Sequence, residues 1–151
     1  MYSKEEASRL RQQFWITFGK YMKPIPAAYG FPVNWINYKT GVKHIFFKMD
    51  ANQHQASIAI EINHSDQEQR KLVFEKFISV KSIFDTLTVG KWDWNPNATN
   101  DFDLPLATIC QTLNGYNIFN EQHWPEIISF LKPRIIALDE FWNEVKPLFE
   151  E

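Results

Sequence analysis

Residues 42–87 read VKHIFFKMDANQHQASIAIEINHSDQEQRKLVFEKFISVKSIFDTL, and the parsing of this stretch decides the fold. Two strand-like runs, 43–50 (KHIFFKMD) and 55–63 (QASIAIEIN), flank Ala51-Asn52-Gln53-His54, a short polar hairpin loop. With Asp50 opposite Gln55, Lys48 faces Ser57, Phe46 faces Ala59 and His44 faces Glu61. Alternation sends Ile45, Phe47, Met49, Ala56, Ile58, Ile60 and Ile62 to the other side, a wholly apolar set and therefore the core face. Ser65-Asp66-Gln67-Glu68 then has the form of a capping box, in which Ser65 holds a free backbone N–H and Glu68 reaches back. Leu72, Val73, Phe77, Val80, Phe84 and Leu87 follow at three- and four-residue intervals, one helical stripe ending near Gly90. An isolated hairpin is marginal in water, and a helix laid across its apolar face supplies the missing burial.

Toward the N-terminus, Ser3-Lys4-Glu5-Glu6 is a second capping box, and Ala7, Leu10, Phe14, Phe18 and Tyr21 share a face, which gives a helix over 4–22. Pro24, Pro26, Gly30 and Pro32 make 23–34 a loop, and Trp35 to Tyr38 read as a short strand. Beyond Gly90, residues 91–94 (KWDW) form a short strand with Trp92 and Trp94 on one face. Residues 95–103 (NPNATNDFD) form a loop, and 106–113 (LATICQTL) a buried strand stopped by Asn114-Gly115. From Trp124 through Ile128, Leu131, Ile135, Leu138, Trp142 and Val145 to Phe149, spacings of four and three alternate as in a heptad seam. Asn120 can cap this helix and Pro125 suits its first turn, but Pro133 should kink or break it. The expected architecture is one α+β domain over 1–151. It holds a small, mainly antiparallel sheet, a four-strand meander, with an N-terminal, a central and a kinked C-terminal helix on one face.

A chain of 151 residues is long enough for a real core, and its 13 Phe and six Trp make that core aromatic. The net charge of −2 gives no overall pull toward nucleic acid or membrane, yet it is unevenly spread. Residues 1–91 carry 13 basic against 8 acidic residues, and residues 92–151 carry 3 against 10. The single cysteine, Cys110, excludes an internal disulfide and a Cys-based zinc cluster, and it reads as a buried core thiol. The sequence has neither an apolar leader nor a membrane-spanning run, so a cytoplasmic protein is expected.

Phosphate-cradling and hydrolase signatures are missing: there is no Walker A loop, GxGxxG, HExxH or GxSxG. Asp50 with Glu61 invites comparison with magnesium-dependent nucleases, but Asn63 stands where those enzymes carry Lys. In the register above, six residues of strand also hold the two carboxylates about 20 Å apart. His44 opposite Glu61 is the best pair for acid–base work, while His64 should point to the opposite face from His44. Neither a metal site nor a cofactor is implied. Trp35, Tyr38, Trp92, Trp94, Tyr116 and Trp124 lie in or beside loops, close in sequence to Lys43, Lys48 and Lys91; such aromatics either stack bases or peptides or plug the ends of the core.

Phe14-Trp15, the IAIEI strand at 58–62, Phe74-Glu75 with Phe77, Lys91-Trp92-Asp93-Trp94, Trp124 and Phe141-Trp142 together resemble a prokaryotic family known as domain of unknown function 4268. The resemblance covers most of the chain and rests on structural aromatics. It implies association with nuclease-like or DNA-binding regions in bacteria and archaea, hence a role near nucleic acid or phage defence, and it carries over no catalytic residue. The reading is therefore a non-enzymatic binding or accessory domain for nucleic acid or a protein partner, contacted through Lys43, Lys48, Lys91, Trp92 and Trp94. Two alternatives stand beside it: an enzyme using His44 and Glu61, and a homodimer built on the 124–149 helix.

Overall fold

The computed structural model describes residues 2–150. Helix α1 (Lys4–Met22) starts as expected, with the Ser3 hydroxyl accepting from the Glu6 amide at 3.1 Å. Its buried face is Leu10, Phe14, Phe18 and Met22; Tyr21 points to solvent. Strands β1 (Ile45–Ala51) and β2 (Gln55–Ile62) form the hairpin. Helices α2 (Gln67–Ser79) and α3 (Lys81–Leu87) follow, then β3 (Asp93–Thr99), β4 (Pro105–Asn114) and the long α4 (Trp124–Phe149). This is an α+β fold: a four-strand antiparallel sheet packed by N-terminal, central and C-terminal helices.

The hairpin faces are as the alternation requires, but the register differs by two residues. Asp50 pairs with Ser57 and Ala51 with Ala56, so Phe46, not His44, stands opposite Glu61. The reason is a tighter turn. The Asn52 side chain accepts from the His54 and Gln55 amides at 2.8 and 3.0 Å, and the Asn52 amide donates to the Gln55 carbonyl. A shift of two leaves every side chain on its face, and Ile45, Phe47, Ala56, Ile58, Ile60 and Ile62 are all buried, with Met49 half-buried.

Sheet order is β1-β2-β4-β3, two hairpins joined through their second strands rather than a meander. Ile60 pairs with Ile109 and Ile62 with Ala107 across that central seam, so the middle of the sheet is its most apolar part. The run expected to be a loop, 95–103, is largely strand: β3 extends to Thr99, with a bulge between Asn95 and Ala98 that accommodates Pro96. The expected short strand at 35–38 is irregular, and its Trp35 anchors the loop by donating to the Ile25 carbonyl at 3.2 Å.

The central helix is two helices. Val80 leaves helical geometry (φ −114°, ψ 18°), and the N-cap of α2 is Asp66, which takes the Glu68 amide, rather than Ser65. Phe74, Phe77 and Phe84 are the buried anchors of the pair, while Leu72 is exposed. Helix α4 continues unbroken through the solvent-exposed Pro133, and its seam from Ile128 to Phe149 is buried within the domain's own core.

Candidate functional site

A cleft of about 1040 Å³ runs along the outer edge of the sheet. Its floor is β1 from Ile45 to Met49. Its far wall is Trp15 of α1 with Ile36, Tyr38 and Thr40, and its mouth carries Lys39, Lys43, His44, Lys48 and Asn63. Three lysines and a histidine line it, and no carboxylate does. Each of these lysines is exposed with bulk water on one side, and the charge of Lys48 also reaches Glu61 on the open face of the sheet. Lys146 of α4 adds to this set: its amine lies 2.8 Å from where a Cβ on Gly41 would sit, and Gly41 lines the same cleft.

A buried carboxylate holds the far wall in place. Asp139 of α4 accepts from the Tyr38 hydroxyl at 2.5 Å and from the Ala28 amide at 2.7 Å, and Asn143 donates to it at 3.1 Å. Burial, then the hydrogen bond to Asp139, push the Tyr38 phenol far above its ordinary range, so it stays a neutral donor. The Tyr38 ring stacks on Phe47 with centroids 5.0 Å apart, which fixes the wall against β1. Thr40 closes the top by donating its hydroxyl to the Ile45 carbonyl at 2.8 Å, and Trp142 ties the Thr40 carbonyl back to α4 at 2.8 Å.

Of the residues singled out from sequence, Lys43 and Lys48 meet in this cleft. Lys91, Trp92 and Trp94 lie at the other edge of the sheet, beside β3 and roughly three strand spacings (about 14 Å) from β1. Trp92 is buried, donates its indole N–H to the Val89 carbonyl, and packs edge-on against Phe84. Trp94 is half-buried against Phe74 and Phe84, with the Lys81 amine over its ring. Trp35 and Trp124 likewise have their indole N–H groups tied to backbone carbonyls. Sequence reading missed Lys39 and Trp15 as cleft residues. Lys39 sits four residues before Lys43 in a turn next to an edge strand, but only the tertiary fold turns that loop toward β1.

His44 and Glu61 are not a cross-strand pair. His44 bonds Asn63 at 3.0 Å through its ring Nδ1, and its ring lies against His64 with centroids 4.5 Å apart. The expectation that His64 points away from His44 is therefore overturned. The backbone of His44 is left-handed (φ 69°), which departs from strand alternation just where that expectation assumed it. Burial, then neighbouring His44 and Arg70, hold the His64 imidazole below its usual value. Glu61 is on the open face of the sheet between Phe46 and Thr108, half-buried, and burial raises its carboxyl.

Asp50 and Glu61 are separated by four residues of register rather than six, roughly 13 Å, still too far for one ion to bridge. Among the described residues no three His, Cys, Asp or Glu side chains converge to hold a metal. Cys110 is half-exposed on the open face opposite Ala59, not a core thiol, and burial raises its pKa. No helix among the described residues is long and apolar enough to cross a membrane.

No curated protein and no solved structure matches the chain. A family described as Domain of unknown function (DUF4268) matches residues 10–146, which takes in most of α1, all four strands and most of α4. The chain belongs to that family.

Proposed function

We propose that the protein is a non-catalytic binding domain that holds an anionic stretch of a macromolecular partner in the cleft along β1. The observation that carries this reading is the lining: Lys39, Lys43, Lys48 and His44 around an apolar wall of Trp15, Ile36 and Tyr38, with no carboxylate among the lining residues. A field of one sign over a concave, partly apolar surface raises the local concentration of the opposite charge and steers its approach. The uneven charge of the chain agrees with this, since the basic excess falls in residues 1–91, which contribute nearly the whole cleft.

Nucleic acid is one such partner, and the family context noted from sequence favours it. The structure removes two of the aromatic contacts that reading used, because Trp92 and Trp94 pack against Phe84.

The test is binding of fluorescent single-stranded DNA, single-stranded RNA and polyglutamate at low salt. Three lysine contacts to a single strand give a log–log salt slope of about −2. Replacing Lys39, Lys43 and Lys48 together by Glu should abolish that slope and weaken binding at least about tenfold. Failure of all three polymers to bind at low ionic strength removes the proposal.

A further inference from the structure

The floor of the cleft offers more than charge. Asn63 donates to the His44 carbonyl and Asn52 to the Gln55 carbonyl, each at 2.9 Å, which fixes the phase of the β1–β2 ladder. Antiparallel pairs alternate, so Phe46, Lys48 and Asp50 bond to β2, while the N–H and C=O of Ile45, Phe47, Met49 and Ala51 point out of the sheet. Both ends of that outward row are closed. The Ile45 amide donates to Val42 at 3.4 Å and its carbonyl accepts from Thr40 at 2.8 Å. The Ala51 amide donates to the Asp50 carboxylate at 2.8 Å and its carbonyl accepts from Arg11 at 2.9 Å. Between them, among the described residues, nothing pairs with the backbone of Phe47 or Met49, and both line the cleft.

We infer that the free edge of β1 at Phe47 and Met49 takes up an extended acidic segment of a partner protein as a fifth strand. This rests on the reading of the cleft as the binding surface and says what kind of chain fills it. Two unpaired donors and two unpaired acceptors alternate along the edge, and a peptide in strand geometry supplies the complement of all four. A DNA backbone supplies acceptors only and would leave the two carbonyls unmatched. A second copy of this chain is disfavoured by charge, since β1 against β1 sets Lys48 and its neighbouring lysines against their own copies.

Successive side chains of the added strand alternate between the wall of Trp15, Ile36 and Tyr38 and the lysine-bearing mouth, so the pattern recognised is apolar–acidic. Lys48 also keeps the edge from capturing unselected strands, the usual duty of an edge lysine, and an acidic incoming segment lifts that barrier.

The experiment uses the full chain and a blocked eight-residue peptide alternating glutamate and valine. Its comparators are the lysine–valine counterpart, two N-methylated versions that each block the amides of one peptide edge, and single-stranded DNA. In the free protein the amides of Phe47 and Met49 should exchange with solvent at least about 100-fold faster than those of Phe46 and Lys48, because only the latter are bonded in the ladder. The acidic peptide should bind, one N-methylated version should lose at least about tenfold in affinity, and saturation should slow exchange at Phe47 and Met49. Met49→Pro, which removes one outward donor from an edge position that tolerates proline, should weaken the acidic peptide at least about tenfold.

Equal binding of both N-methylated versions overturns strand addition and leaves a purely electrostatic cleft. So does protection of Phe47 and Met49 in the free protein, or binding of DNA without the acidic peptide. Binding of neither DNA nor acidic peptide overturns the cleft reading itself, and strand addition with it.

Discussion

Two carboxylates show how environment divides one chemistry into opposite effects on stability. Asp139 is 2 % exposed, yet its oxygens are occupied by Tyr38, Ala28 and Asn143. Removing it leaves a half-buried phenol and a half-buried amide without their acceptor, and unmet donors shielded from water are costly. Asp139→Ala should lower unfolding free energy by about 3 kcal/mol in urea titrations. It should also loosen residues 28–38, detectable as faster amide exchange there. Glu61 is the reverse case, half-buried on the open sheet face and without a hydrogen-bond partner among the described residues. Its carboxyl is raised from the ordinary 4.5, so the native state holds its proton while the unfolded chain has already released it. That contribution is present in full below 4.5 and is lost as pH rises through the native value. Glu61→Gln should therefore raise the melting temperature at pH 7, and the gain should vanish near pH 4. A gain that persists at pH 4 would mean that ionisation of Glu61 has no part in it.

The elements are held by a small number of aromatic anchors. Helix α3 has one buried residue, Phe84, which meets Trp92, Trp94 and Phe141 edge-on. Phe84→Ala should cost about 3–5 kcal/mol and release both α3 and the start of β3, measurable by denaturation and by tryptophan fluorescence. The turn between them depends on Gly90, whose φ is +81° and whose added Cβ would collide with the Gln111 amide nitrogen. That nitrogen bonds the Val89 and Lys91 carbonyls, while Arg134 bonds the Gln111 oxygen. Gly90→Ala should cost at least about 1–2 kcal/mol from the backbone alone, with β3 detached from its turn. The strands and α1 were legible because alternation and capping are local signals. The break at Val80 was not, since its apolar spacing continues through it. The strand character of 95–99 was hidden behind Pro96 and two Asn, and was recovered only by pairing with β4.

At the scale of the molecule, one hydrophobic cluster links α1, the sheet, α2, α3 and α4, with Phe77 packed against Trp142 and Phe149 near its middle. Calorimetry should accordingly record one transition, with equal calorimetric and van't Hoff enthalpies; two resolved transitions would show that the halves fold separately. The candidate cleft was only partly legible. Lys43 and Lys48 were visible as strand lysines, but their company with Lys39, Trp15 and Tyr38 depends on how the 23–43 loop is pinned by Asp139, 100 residues away. Separation in sequence also governs how the protein is made. Its central seam joins Ile60 to Ile109, and α4 covers it only after that. A chain emerging from the ribosome thus has its isoleucine-rich hairpin exposed until β4 has cleared the exit tunnel. A translational pause near residue 100 would lengthen that exposure.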